Sequence, residues 1–242
     1  MQAAMITGVS RGLGEALAAE LLARGWNVVG VGRKSGARLA GARYRFVELD
    51  LADVGKIDAT LSAPLNDIRI SHPASVVCIN NAAVAGPVGV AGRLTAHAIA
   101  ASFEINLAAP AAIANLFCRV FGDGVEDRRI INVSSGAAQT VLPGSAMYCA
   151  AKAGLEMLTR ALAAEQGAKG VRVIALRPGI LDTDMQAFMR SQAEDVLPTA
   201  GLFKGFHERR QLVEPNVAAA KIVDKIVLAR IEQGRTYSYA DL

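Results

Sequence analysis

Short apolar runs alternate with stretches of helical period along the whole chain. Ala3, Ala4, Met5 and Ile6 form an apolar run that stops at Thr7-Gly8, the pattern of a buried strand entering a tight turn. Leu13, Leu17, Leu21 and Leu22 then recur at helical spacing until Gly25, which predicts a helix over 12–24. Val28, Val29, Gly30 and Val31 give a second strand. Further strand patterns fall at 44–49, 75–79, 129–133 and 171–176, with a short last one at 236–239. Helical patterns fill 52–61, 96–121, 146–166 and 215–233, and Pro110 is expected to kink or interrupt the second of these. Strands that are apolar on both faces imply a parallel sheet covered by helices on each side. One segment, 187–215, breaks the alternation. It is more polar, has no clean period, and is a candidate lid at the ligand end of the sheet.

About seven strands alternating with about six helices make a single-domain α/β chain, a Rossmann-like doubly wound sheet spanning 1–242. The length is enough for a substantial core, and 52% apolar with 20% charged residues is the balance of a folded domain. A net charge of +4 favours a phosphorylated ligand but is too diffuse for nucleic acid. Arg209-Arg210, flanked by Glu208 and Glu214, is a solvated patch. Cys78, Cys118 and Cys149 form no CxxC pair, so no disulfide and a cytoplasmic location are expected. His72, His97 and His207 lack ligand spacing, and no metal is expected. Charges interrupt every long apolar stretch, Glu15 and Glu20 among them, so neither a membrane span nor a signal peptide is expected.

The turn between the first strand and the first helix is Thr7-Gly8-Val9-Ser10-Arg11-Gly12-Leu13-Gly14. Ligands of open α/β sheets bind at strand carboxyl ends, where free helix amides and the helix dipole favour phosphate. Glycine lets a pyrophosphate approach the backbone, because a Cβ would block it. The spacing is GxxxGxG rather than the commoner GxGxxG. At the end of the second strand a carboxylate would bind the ribose 2′-hydroxyl of NAD. Here Gly32 stands in that place and Arg33 follows, with Arg11 in the glycine turn. Two guanidinium groups suit a 2′-phosphate, so NADPH is expected over NADH.

Tyr148 and Lys152 are four apart at the start of a predicted helix and share one face. A nearby ammonium favours phenolate and would lower the tyrosine pKa toward the working pH, making it a usable general acid or base. Ser134-Ser135 follows the fifth strand, where a hydroxyl can hold a substrate oxygen.

Thr7-Gly8-xxx-Gly12-x-Gly14, Asn80-Asn81-Ala82, Asn106, Ser135, Tyr148-xxx-Lys152 and Pro178-Gly179 occur in the order and spacing of the short-chain dehydrogenases/reductases. The chain resembles that family over essentially its whole length. The resemblance implies that Tyr148 donates a proton, Ser135 orients a carbonyl, and Lys152 tunes the tyrosine while binding the nicotinamide ribose. It also implies that Asn106 supports a water-linked proton path to Lys152. Gly8, Ser10, Arg11, Gly12, Leu13, Gly14, Arg33, Asp50, Leu51, Asn81, Ala82, Pro178, Gly179 and Thr183 would contact the cofactor. One position departs from the family: Ala83 replaces the usual glycine after Asn80-Asn81-Ala82.

Within the family, Ser134-Ser135-Gly136-Ala137-Ala138, Tyr148-Cys149-Ala150-Ala151-Lys152-Ala153 and the run from Arg177 through Gln186 resemble sepiapterin reductases and benzil reductases. That branch implies reduction of a diketone or of a side-chain ketone on a pterin-like ring. Asp241 falls where a sepiapterin reductase anchors its pterin. The expectation is NADPH-dependent reduction of a small carbonyl compound by a homodimer or homotetramer. The alternatives are an NADP-dependent alcohol dehydrogenase working oxidatively, or a dinucleotide sensor without turnover. Sugar-nucleotide epimerases also carry YxxxK, but their GxxGxxG turn and second lobe are not found here.

Overall fold

The computed structural model describes residues Met1–Leu242. Seven strands, β1 (Gln2–Thr7), β2 (Asn27–Gly32), β3 (Tyr44–Glu48), β4 (Ser75–Asn80), β5 (Asp127–Val133), β6 (Arg172–Arg177) and β7 (Thr236–Ser238), form one sheet in the order β3-β2-β1-β4-β5-β6-β7. Every neighbouring pair is parallel. The strand order reverses between β1 and β4, which opens a crevice at their carboxyl ends.

Strand residues alternate between two cores. Ala4, Ile6, Val28, Val77, Ile79, Ile131, Val133, Ile174 and Leu176 face helices α1 (Gly12–Ala23) and α8 (Pro215–Ile222). Ala3, Met5, Val29, Val76, Cys78, Ile130 and Val173 face α2 (Ile57–Ile70) and α4 (Ala109–Phe121). The strict alternation locks register, because a one-residue slip would carry each set into the wrong core. The doubly wound sheet read from the sequence is therefore the observed one.

Three elements differ from expectation. The helix expected over 52–61 starts at Ile57, after a short turn, and runs to Ile70 through Pro64. One lost backbone bond at Pro64 is outweighed by burial of Ile57, Leu61, Leu65 and Ile68. The helix expected over 215–233 ends in a π turn at Val223–Val227. Buried Arg129 explains that stop: its Nη1 donates to the carbonyls of Ile226, Val227 and Ala229 at 3.1, 3.1 and 2.6 Å, and its Nε donates to Asp127 at 2.7 Å. The aperiodic segment 187–215 contains the second half of α6 (Asp184–Ser191) and all of α7 (Ala200–Glu208). Ala85, Met189, Leu197 and Ala200 form a small core beneath them.

The helical run Ala96–Phe121 has the length and apolar character of a membrane span, with a mean hydropathy of 1.3. It contains Glu104 and Arg119, and it buries Ile113, Leu116, Phe117 and Phe121 in the second core. The run is interrupted, as Pro110 led one to expect. It divides into α3 (Ala96–Phe103), a π segment Glu104–Ala108, and α4 with Pro110 in its first turn. The helix α5 (Ala146–Gln166) packs beside that π segment, where Gly154 leaves room for Leu107: a Cβ at 154 would lie 3.2 Å from Leu107 Cδ2.

Candidate active site

A cleft of about 1080 Å³ lies at the carboxyl ends of β1, β2, β4 and β5, and the glycine turn forms one wall. Gly8 and Gly12 adopt φ of +74° and +61°, a region open to glycine. Gly14 is required for a different reason: a Cβ there would stand 2.2 Å from Gly8 O and 2.4 Å from Asn81 Nδ2. The turn is stitched to the end of β4. The amides of Asn81 and Ala82 both donate to Thr7 Oγ1 at 3.0 Å, and Asn81 Nδ2 donates to Thr7 O at 2.9 Å. Ser10, Arg11 and Leu13 line the same wall, and Ala83 sits in the cleft lining without breaking these bonds.

The second wall carries the groups expected to select the cofactor. Arg33, Asp50 and Leu51 line the cleft, joined by Lys34 and Arg38, which sequence reasoning missed. Arg33 and Lys34 are exposed. Arg38 pairs with Glu15 at 3.1 Å. Arg11 lines the cleft with Arg33 but has its charge engaged by Asp184 on α6 at 2.9 Å. A Cβ at Gly32 would meet only ordinary contacts, the nearest at 3.8 Å, so packing does not require glycine in the place where the sequence supplies no carboxylate. Asp50 Oδ1 accepts from Ala52 N at 3.0 Å and holds the loop after β3. Thr183 lies over the glycine turn, its Cγ2 3.4 Å from where a Cβ of Gly12 would be. Pro178 lines the cleft, while Gly179, at φ +82°, packs beside Tyr239.

Tyr148 and Lys152 line the cleft together from the first turns of α5. The Lys152 ammonium is 5.7 Å from the Tyr148 ring centroid and donates to Val133 O at 2.7 Å. Lys152 is almost fully buried, and the loss of solvation lowers its pKa to about 8. That displacement is worth about 3 kcal/mol against the charged form. Burial pushes the Tyr148 phenol up from its ordinary value, and the Ser135 hydroxyl works against that rise. The expected lowering of the phenol is thus not what its surroundings produce: desolvation outweighs every group that favours phenolate. Ser135 caps a short 3-10 turn, Gly136–Ala138, with its Oγ accepting from Ala137 N at 3.2 Å.

Asn106 lies in the π segment and is fully buried. Its side chain clamps the chain after β4: Oδ1 accepts from Val84 N at 3.0 Å and Nδ2 donates to Val84 O at 2.9 Å. Pro110, four residues on, has no N–H to offer the Asn106 carbonyl. Asp241 stands apart from this assembly. It is exposed near the C-terminus and does not line the cleft.

Sequence reasoning also missed Glu156 and Arg177, a bidentate pair at 2.8 and 2.7 Å beside Ser134. The signal was present: Glu156 is one turn beyond Lys152 on the same helix face, and Arg177 directly precedes Pro178-Gly179. Of the apolar contributors Met185 and Phe188, three apart on α6, Phe188 was hidden within the stretch that carried no period, and Met185 stood at the end of the run from Arg177 through Gln186.

A parallel sheet with a glycine cradle and a tyrosine–lysine pair at its carboxyl edge defines a dinucleotide-dependent oxidoreductase. A family model described as short chain dehydrogenase matches residues 2–194, and the chain belongs to that family. It is 31% identical to a benzil reductase ((S)-benzoin forming) of Bacillus cereus, over 97% of each chain. It is 26% identical to a sepiapterin reductase of Xenopus laevis, over 98% of this chain and 95% of that one. A solved short chain dehydrogenase/reductase from Saccharomyces cerevisiae superposes with a TM-score of 0.85 at 27% identity, covering 100% of this chain and 97% of the other. The branch read from the motifs is therefore borne out. The family uses nicotinamide dinucleotides. The cradle here fits one, since Gly8 and Gly12 take positive φ, Gly14 lets the turn close on Asn81, and the turn leads into the N-terminus of α1 at the cleft wall.

The packing at Gly14 generates a direct expectation. Gly14→Ala puts a methyl group against a backbone oxygen and should weaken dinucleotide binding by at least about tenfold while lowering the thermal midpoint. Fluorescence titration with NADPH and a melting curve check this; wild-type binding in the variant contradicts it.

Proposed function

We propose that this protein is an NADPH-dependent reductase of apolar ketones and diketones. The observation that carries the reading is that Tyr148 and Lys152 line one cleft with Gly8, Gly12 and Gly14. When bound, the dinucleotide supplies hydride to the carbonyl carbon. The glycine-turn amides, Asp50, Asn81 and Thr183 would hold it, with Lys152 at the ribose and Pro178-Gly179 at the nicotinamide end. The choice of NADPH is supported by Arg33, Lys34 and Arg38 on the adenosine side and by Gly32 where an acid would reject a 2′-phosphate.

Tyr148 donates its phenolic proton to the carbonyl oxygen, and Ser135 hydrogen-bonds the same oxygen. A phenol kept protonated by burial suits this direction, because reduction needs the acid form and oxidation needs phenolate. Lys152 places positive charge beside the phenolate left behind. The Asn106 carbonyl, which receives no N–H from Pro110, would accept a water on a proton path to Lys152.

Val84, Ala85, Met185 and Phe188 line the cleft with Tyr148 and favour an apolar body on the substrate. The segment 187–215 acts as a lid, and the Arg11–Asp184 bridge spans from the glycine turn to its leading helix. Homo-oligomers through the outer faces of α4 and α5 are the expected assembly. The oxidative alcohol dehydrogenase remains the second reading of the same residues, since substrate levels set direction.

An NADPH-oxidation assay over diketones, quinones, pterins and aldehydes tests the reading. Tyr148→Phe should lose about 10²–10⁴-fold in kcat while retaining NADPH affinity; turnover near wild type would assign the proton to another group. Gly32→Asp, whose Cβ meets only ordinary contacts, should shift the ratio of kcat/KM values about tenfold or more toward NADH, and an unchanged ratio removes the adenosine-side argument. Reductive kcat/KM should fall as pH rises through about 8, where Lys152 loses its proton. A profile flat to pH 10 contradicts a role for the charged lysine.

A further inference from the structure

The turn that presents Ser135 is tied on both flanks to one ion pair, a half-buried arginine on a buried carboxylate. Before it, Ser134 Oγ donates to Glu156 Oε1 at 2.7 Å. After it, Arg177 Nη1 donates to Gln139 Oε1 at 2.7 Å. Between them, Arg177 Nε and Nη2 hold the two Glu156 oxygens at 2.8 and 2.7 Å. Ser134 is 2% exposed and Glu156 8%. The hydrogen bond from Ala137 N to Ser135 Oγ lies inside the turn. It fixes the shape of the turn but not where the turn stands relative to α5.

Burying the Glu156 carboxylate is a poor device for stability alone, because the cost of desolvating it offsets much of the attraction to Arg177. What apolar residues lack is direction. A carboxylate gripped bidentately has one orientation, and its remaining acceptor capacity fixes the hydroxyl it takes. Glu156 lies one helical turn beyond Lys152 and two beyond Tyr148, so its anchor belongs to the same helix face as the proton donor. The bracket therefore references the Ser135 turn to the helix that carries Tyr148.

We infer that Glu156 and Arg177, with Gln139, are positioning residues that set the Ser135 hydroxyl against the Tyr148 phenol. The inference rests on the reductase reading above. It separates from a plain β6–α5 fastening by one property. A positioning pair acts through Ser135, so its kinetic effect disappears when Ser135 is already gone, whereas a fastening's effect does not.

The experiment measures kcat, KM for NADPH and thermal midpoint with benzil as the carbonyl probe. Glu156→Gln, Arg177→Lys and Gln139→Ala are each made alone and in a Ser135→Ala background. Alone, Glu156→Gln and Arg177→Lys should lose about 10–100-fold in kcat with KM for NADPH changed by less than about twofold, as misplacement on the scale of 1 Å does. Gln139→Ala, which removes one flank, should lose about 3–10-fold. In the Ser135→Ala background each loss should shrink to under about twofold, while any drop in thermal midpoint stays the same. Unchanged kcat in the single variants, or losses that persist in full without Ser135, overturn the inference. Gln139 is exposed, so its variant keeps the test decisive if the buried variants fail to fold; unchanged kcat there overturns it equally. A wild type that reduces none of the carbonyls in the NADPH-oxidation panel fails the reductase reading and takes the inference with it. A wild type that reduces another of those carbonyls but not benzil supplies the probe for the same comparison. A wild type that turns over beside variants that match it fails the inference alone.

Discussion

Lys152 donates from an almost fully buried ammonium to the carbonyl of Val133, at the last residue of β5. That bond ties the first turns of α5 to the carboxyl edge of the sheet, and the remainder of the site follows from it. Tyr148 is one turn earlier on the same face, so the contact that seats Lys152 also turns the phenol into the cleft. Burial that lowers the lysine pKa to about 8 also raises that of the phenol. The lysine therefore gives up its proton more readily than the phenol does, the reverse of their order in water, and the phenol stays the protonated partner.

The scaffold keeps this contact in register by two means. Strict alternation of strand side chains between the two cores fixes the height of each strand end. A buried polar ladder then fixes the helix above them: Asn80 Nδ2 donates to Asn132 Oδ1, Asn132 Nδ2 donates to Thr159 Oγ1, and Thr159 Oγ1 donates to Leu155 O, at 2.9, 2.9 and 2.8 Å. Each group is satisfied, so the ladder fixes direction without leaving a buried polar atom unpaired.

Much of this was legible in the sequence. Apolar runs such as Val76, Val77, Cys78 and Ile79 are too short for helices and too apolar for one-sided strands, which made the parallel sheet readable. Gly8, Gly12, Gly14, Tyr148 and Lys152 were readable because their chemistry depends on local spacing. Glu156 and Arg177 each had a local cue, but their partnership was not legible, because it joins a helix interior to a strand end 21 residues away. Helix ends set by distant groups were also hidden, as where Arg129 stops the helix after Val227. Met185 and Phe188 escaped because α6 is short and its apolar face is only half covered, so no period builds up. The depressed phenol expected from the Tyr–Lys spacing failed for a related reason: spacing reports proximity but not desolvation.

Single-turnover oxidation of NADPH deuterated at the transferred position, followed in H2O and in D2O with an apolar diketone, tests the central claim most directly. The account predicts a primary isotope effect from the cofactor and a solvent isotope effect on the same step, with the alcohol as product. Oxidation of NADPH that shows neither effect and yields no alcohol would contradict a phenol that delivers its proton as hydride arrives.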